Sequence, residues 1–291
     1  MKKIILGTVQ FGLDYGINNN LGKPSFNDFC KILNFAYSNG IKFLDSAESY
    51  GNCHERIGKY HFTYPLNKFN IITKFSPDRE DLPKNMVERV KKNIEILKVK
   101  NLYCYMFHSF FDFNSLFSKY KDELLLLKKN KLIKKIGVSI HSNHEINEVL
   151  KYKEIDLIQV PYNLLDNIKK RNKTFLKAKE MGIEIHTRSV FLQGLFFKEI
   201  NSLRGNMRVF KKYLQNLNNI ILDNNMDDVA LNYAFDNKSI DAVLFGVDNL
   251  NHLRTNLKSL LIKNGLDNIF SKINEINFEE ESMLNPVNWT K

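Results

Sequence analysis

Short, continuous apolar runs alternate along the chain with longer segments whose apolar side chains return every three or four positions. The first pattern reads as buried strands and the second as amphipathic helices. Ile4-Ile5-Leu6 is the first run. A helix follows from Ser25, a natural N-cap, with Phe26, Phe29, Leu33, Ala36 and Tyr37 at helical spacing until Asn39-Gly40 ends it. The alternation continues with a strand over Ile41 to Leu44, a short helix over His54 to Tyr60, a strand over Asn70 to Lys74, a helix over Pro83 to Leu97, and a strand closing on His108. Helices are then predicted over Leu116 to Asn130, Glu145 to Tyr152 and Ile168 to Met181. Strands are predicted within Ile133 to Ile140, over Asp156 to Val160 and over Ile183 to Thr187. After a longer insertion come a helix over Met226 to Phe235 and a last strand over Ala242 to Phe245, which makes eight strands.

Strands that are apolar throughout suit a sheet covered on both faces. No Pro- or Gly-rich linker and no shift of composition divides the series, so residues 1–291 are expected to form a single domain. The expected fold is α/β, a (β/α)8 TIM barrel. Residues 264–291, with Glu279-Glu280-Glu281 and Trp289, form a C-terminal extension without a readable pattern.

With 43% hydrophobic and 26% charged residues the chain can bury a sizeable core, and disorder is not expected. The net charge of +11 raises the question of a nucleic-acid partner. The lysines, however, lie beside helical segments, as at Lys91-Lys92 and Lys128-Lys129, and read as solvated faces; no nucleic-acid-binding motif accompanies them. No such partner is expected, though a basic surface favours phosphorylated ligands. Cys30, Cys53 and Cys104 form no CxxC pair and leave an odd thiol, which points to a reducing compartment. The apolar start of the chain is interrupted by Thr8, Gln10 and Asp14 before a signal sequence is complete, and no stretch is long enough to span a membrane. A cytoplasmic protein without a membrane partner is expected. Cys53-His54 and His141 with His144 offer no zinc-type spacing, so no metal is expected.

Three of the strands end in titratable groups. Asp45 closes the second, with Tyr50 five positions on in a small polar turn; Lys74 closes the third and His108 the fourth. Catalytic groups of α/β barrels sit at the C-terminal strand ends and the loops beyond them, so the four are expected to converge. Singly, Asp45 reads as a turn or N-cap carboxylate, Tyr50 as a packing residue and Lys74 as surface, while His108 beside Cys104 could be taken for a metal ligand, a reading that the lack of zinc-type spacing around it disfavours.

In this order, and with the sequence Phe43-Leu44-Asp45-Ser46-Ala47-Glu48-Ser49-Tyr50-Gly51, the four residues resemble the tetrad of the aldo-keto reductases. The resemblance spans residues 4 to 256 and includes the Leu284-Asn285-Pro286-Val287-Asn288-Trp289 tail. It implies reduction of an aldehyde or ketone to an alcohol, with hydride from NAD(P)H and a proton from Tyr50. A free tyrosine, with a pKa of about 10, is a weak acid at neutral pH, and Lys74 held by Asp45 is expected to bring that value down. His108 is expected to orient the carbonyl.

The resemblance also implies cofactor contacts. Gly7 and Thr8 leave the first strand, Ser139 and Gln159 match residues that hold the nicotinamide amide, and Asp45 lies beside them. Arg188, followed by Ser189, stands where many relatives place a stacking tyrosine. A planar guanidinium can stack too, and a substrate contact is the competing assignment. Gly246, His252 and Asn256 lie in the segment similar to the adenosine-binding one. Gly246 replaces a lysine often aimed at the 2′-phosphate, and Asp248 adds a negative charge. The family norm nevertheless favours NADP(H), with NAD(H) the other choice. The expected partner is a small carbonyl substrate. A sugar-linked one is preferred because Arg188, Arg204 and Arg208 suit phosphate or nucleotide groups, and Ser109 to Asn114 is a candidate specificity loop. Other readings are a non-catalytic nicotinamide-binding regulatory subunit of the same fold and a nucleic-acid binder driven by charge.

Overall fold

A computed structural model describes residues 3–17, 19, 22–222, 224–262 and 265–290. Eight parallel strands, β1 (Lys3–Gly7), β2 (Phe43–Asp45), β3 (Asn70–Phe75), β4 (Leu102–Phe107), β5 (Ile133–Ser139), β6 (Leu157–Pro161), β7 (Glu184–Arg188) and β8 (Ala242–Gly246), pair in chain order. β8 closes on β1, with Gly7 opposite Gly246, so the barrel is complete. The helices are α1 (Val9–Gly12), α2 (Phe26–Ser38), α3 (Cys53–Thr63), α4 (Met86–Leu97), α5 (Phe110–Lys129), α6 (Asn143–Val149), α7 (Ile168–Glu180), α8 (Phe210–Ile221), α9 (Met226–Asp236), α10 (Leu250–Ser259) and α11 (Asp267–Glu275).

Two apolar regions follow from closure. A small cluster of Ile5, Ile72, Cys104, Met106, Leu157, Ala242 and Leu244 fills the barrel, and a larger one lies between strands and helices. This double burial is why the strands read as continuous apolar runs. Gly137 shows how full the interior is: a Cβ there would come within 2.8 Å of Cys104 Sγ and 3.0 Å of Met106 Cε.

Helix starts are set by caps. Ser25, Asn85 and Ser109 accept from the backbone N–H groups of Asp28, Glu88 and Asp112, and Ser142 makes a reciprocal capping box with Glu145. Two expectations change accordingly. The fourth helix starts at Met86 rather than Pro83, because Asn85 caps it. The segment Ser109 to Asn114 is not a loop, since Ser109 opens α5 six residues before the periodicity is evident.

The extension, unread in the sequence, is tied down from Leu266 on; Asn264, where it was set to begin, lies outside the described residues, as do Met1 and Lys2. Asn167 donates from Nδ2 to the carbonyls of Ile273 and Ile276, both at 2.9 Å. Phe278 stacks on Phe210 with centroids 5.3 Å apart, and Trp289 meets the same ring edge-on at 5.6 Å. Among the described residues no helix is long and apolar enough to cross a membrane.

Candidate functional site

Register carries the strand-end residues to one rim. Gly7 lies opposite Asp45, Asp45 opposite Ile72, Ser139 opposite Gln159, and Pro161 opposite Arg188. Side chains alternate along a strand, so Ile72 and Lys74 share the inward face, with Lys74 one step nearer the rim. There Lys74 Nζ bonds Asp45 Oδ1 and donates to the Ser46 carbonyl at 3.0 Å. Both partners of the ion pair are buried. Gln159 Nε2 donates to the other carboxylate oxygen of Asp45 at 2.7 Å, and Thr8 Oγ1 to the Asp45 carbonyl at 2.8 Å.

Tyr50 lies above this pair. Lys74 Nζ is 5.3 Å from the centroid of its ring, and His108 packs edge-on against it with centroids 5.7 Å apart. The four residues singled out in the sequence do come together. The electrostatics differ from expectation, however. Burial, with the charge of Asp45 behind it, pushes the Tyr50 phenol well above its ordinary value. The Lys74 charge is neutralised by Asp45, so the tyrosine stays a phenol. Burial also holds the Lys74 ammonium below its usual value, against the pull of Asp45. His108 is lowered to about 3 by burial and by the charges of Lys74 and Arg188, and is therefore neutral near pH 7.

The turn that carries Tyr50 is held by a residue the sequence reading passed over. Glu48, fully enclosed, accepts from Ser76 N at 2.9 Å, Arg89 Nη2 at 2.6 Å, Asn93 Nδ2 at 2.6 Å and Tyr105 Oη at 2.6 Å. A carboxylate between two small residues and a tyrosine gave no local sign of such partners, which come from β4, α4 and the loop after β3. Close backbone contact fixes the other side. A Cβ on Gly12 would lie 1.9 Å from the Tyr50 carbonyl oxygen, and Gly51, at φ +54°, abuts the Gly12 carbonyl.

Two further residues reach the rim without having been singled out. Gln193, at φ 55°, donates from Nε2 to Tyr15 Oη at 2.8 Å, joining the loops after β1 and β7. The Arg188 guanidinium lies near enough to Tyr50 to pull its phenol back down, though burial prevails. Its Nη2 donates to the Ile140 carbonyl at 3.3 Å and meets His141 Nε2 at 2.8 Å. Arg204 and Arg208, by contrast, are exposed on the insertion, where Arg204 donates to the Asn201 carbonyl.

The remaining sequence-selected positions line the edge formed by β8 and α10. Gln10 sits on Gly246, where a Cβ would come within 2.5 Å of its amide. Burial raises the Asp248 carboxyl above its ordinary value, with His252 and Gln10 pulling it back, and Gln10 Oε1 is buried without a partner. His252 is exposed with Nδ1 3.5 Å from Asp248, and Asn256 is buried four residues on. Ser189 adopts φ +61° and gives its carbonyl to Asn163 Nδ2 at 3.2 Å.

A closed eight-stranded parallel barrel ringed by helices defines the class as a (β/α)8 protein. The profile of the Aldo/keto reductase family matches residues 3–277, and the chain belongs to that family. No curated protein matches the sequence. Among solved structures the chain is similar to the aldo-keto reductase AKR11C1 from Bacillus halodurans. The holo form of that protein is 18% identical over 96% of this chain and 94% of that one, with a TM-score of 0.76. Its apo form is 20% identical over 97% and 99%, with a TM-score of 0.72. A thermostable aldo-keto reductase, Tm1743, in complex with the inhibitor epalrestat, is 19% identical over 93% of both chains, with a TM-score of 0.67. At these identities the structures speak for the fold.

Proposed function

We propose that this chain, read as one barrel domain, reduces an aldehyde or ketone to an alcohol at the rim built on Asp45, Tyr50, Lys74 and His108, using NAD(P)H. The observation that carries the reading is the buried Lys74–Asp45 pair directly beneath the Tyr50 ring.

The surroundings fit a dinucleotide. The first turn of α10 offers N–H groups suited to phosphate, and the Gln10 amide that covers Gly246 has a buried Oε1, an acceptor still without a donor. Thr8, Asp45, Ser139, Gln159 and Ser189 would hold the nicotinamide end, and Gly246, His252 and Asn256 the adenosine end. Arg188 stands between a stacking role and a substrate contact. When bound, the dinucleotide supplies the hydride that no side chain can. NADP(H) remains the favoured form on family grounds.

The protein's own part is the proton. Tyr50, held as a phenol, keeps its proton until an alkoxide develops beside it, and the Lys74 ammonium then stabilises the tyrosinate left behind. Neutral His108, with Ser49 Oγ 3.3 Å from Nδ1, is set to donate from Nε2 to the substrate oxygen. A sugar-linked carbonyl is the preferred substrate. Screening carbonyl compounds while following NADPH absorbance tests the reading. No consumption with any aldehyde or ketone, by a protein that binds the dinucleotide, would reject it.

A further inference from the structure

Among the described residues, Arg188 differs from the two fully buried guanidiniums, Arg89 and Arg171, and of the half-buried ones shares the lack of a carboxylate only with Arg56 on α3, whose Nη2 is taken up by the Pro24 and Ser25 carbonyls. Arg89 places its guanidinium on buried Glu48, with Nη2 and Oε2 2.6 Å apart, and Arg171 forks onto buried Asp166, with Nη2 2.6 Å from Oδ2 and Nε 2.7 Å from Oδ1. Arg188, half-buried at the rim, has no carboxylate. Its partners are a carbonyl, the ring nitrogen of His141 and, at 3.4 Å from Nη1, the Ser189 hydroxyl. That leaves the Nε hydrogen and one Nη1 hydrogen without a protein acceptor.

His141 is not a hidden counter-charge. Burial and the two neighbouring guanidiniums, Arg188 and Arg171, hold it to about 3, so it accepts from Arg188 as a neutral ring. The other charges facing Arg188 are already matched: Asp45 by Lys74 and Asp166 by Arg171. Tyr15 and Tyr50, the nearest groups that a cation would favour as anions, are kept protonated by burial. One positive charge at the rim thus remains uncompensated beside the phenol. A half-buried cation without a counter-ion has given up part of its solvation, and such a site gains from an anion brought in from outside.

We infer that Arg188 is the anion-binding residue of the site, and that the substrate is a carbonyl compound carrying a carboxylate or phosphate close to the carbonyl. This rests on the reading of the rim as a carbonyl site and narrows its substrate class. The Nε and Nη1 hydrogens point the guanidinium at an oxyanion, while Ile140 and His141 fix Nη2 so that little side-chain entropy is lost on binding.

The same charge could serve the phosphates of the dinucleotide, and the experiment separates the two sources. Binding of benzoylformate, whose carboxylate adjoins the ketone, and of its methyl ester is measured by calorimetry on the protein saturated with NADP+, which needs no turnover. The carboxylate is expected to bind about tenfold to a hundredfold more tightly than the ester, the range of a charge-assisted hydrogen bond. Arg188→Gln should erase that difference and leave NADP+ affinity within about twofold, and Arg188→Lys should restore part of it. Equal binding of acid and ester by the unmodified protein, or a preference that survives Arg188→Gln, overturns the inference. So does an Arg188→Gln variant whose main loss is NADP+ affinity, which would give the charge to the cofactor. Turnover of the methyl ester with NADPH reports separately on the reductase reading.

Discussion

Glu48 and Arg89 form an enclosed ion pair, 2.6 Å between Oε2 and Nη2, two residues before the tyrosine proposed as the acid. Arg89 also donates to the Ser76 carbonyl, and Arg79 to the Glu48 carbonyl. The turn from β2 is therefore fastened to α4 and to the loop after β3, and Tyr50 inherits its place from that attachment. Glu48→Leu should destabilise the fold by about 3–5 kcal/mol, since it strands the Arg89 charge. Glu48→Gln, which keeps an acceptor, should cost less and lower kcat more than it weakens the dinucleotide. Urea unfolding together with steady-state kinetics checks both; a Glu48→Gln enzyme with normal kcat would mean that the clamp supports the fold alone.

The proton is the most direct point of attack. Tyr50→Phe keeps the ring that His108 packs against and removes only the acid, so dinucleotide binding should survive while turnover falls about 10²-fold or more. Lys74→Met should do likewise by leaving Asp45 buried without its cation, and the double variant should lose little beyond either single one. Single-turnover rates with fluorescence titration of the dinucleotide separate these effects. Near-full activity in Tyr50→Phe would place the proton donor elsewhere.

Nucleotide choice should be only modestly selective. NADP(H) is expected to bind more tightly than NAD(H) by about 1–2 kcal/mol, at about 1.4 kcal/mol per tenfold. Asp248→Lys removes the carboxylate that Gln10 and His252 face and should raise NADP(H) affinity. Gly246→Lys should help less, because its Cβ must first displace the Gln10 amide. Calorimetry with both nucleotides decides; a clear preference for NAD(H) reverses the order.

Acid should unfold the protein in a window set by its histidines. The unfolded chain takes up these protons as pH falls through 6.5, whereas burial lets the folded chain accept them only near 4 at His54 and near 3 at His108 and His141. The unfolded state binds more protons between those values, so stability is complete above about 6.5 and is lost as pH falls through the window. At about 1.4 kcal/mol per unit, fully buried His54 alone accounts for a few kcal/mol at the acid end. His54→Gln should flatten the pH dependence of urea midpoints between pH 7 and 5. The activity profile should show no histidine-like limb near 6.5, since His108 stays neutral there.

The barrel was legible because strands covered on both faces leave runs that no amphipathic pattern imitates, and Asp45, Lys74 and His108 because each ends such a run. What escaped notice was made by distant partners. Nothing near Glu48 announces Arg89, Asn93 and Tyr105, and nothing near Tyr15 announces Gln193. The extension is held by Phe210, Tyr213 and Asn167 on elements far earlier in the chain, so it carries no periodicity of its own. The expectation of a lowered Tyr50 considered Lys74 without weighing burial and Asp45, which prevail at this depth.

Gly12 leaves no space for a side chain against the Tyr50 carbonyl, and Gly51 leaves none against Gly12. The loop after β1 and the turn after β2 are thereby interlocked at the backbone, so neither can be lengthened, shortened or re-aimed without moving the other. Divergence toward new substrates is closed along that quarter of the rim. It stays open at the exposed side chains of the insertion between β7 and α8, such as Glu199, Asn201, Ser202 and Arg204. A lineage built on this chain would inherit the setting of Tyr50 unchanged and vary its diet through those outward side chains.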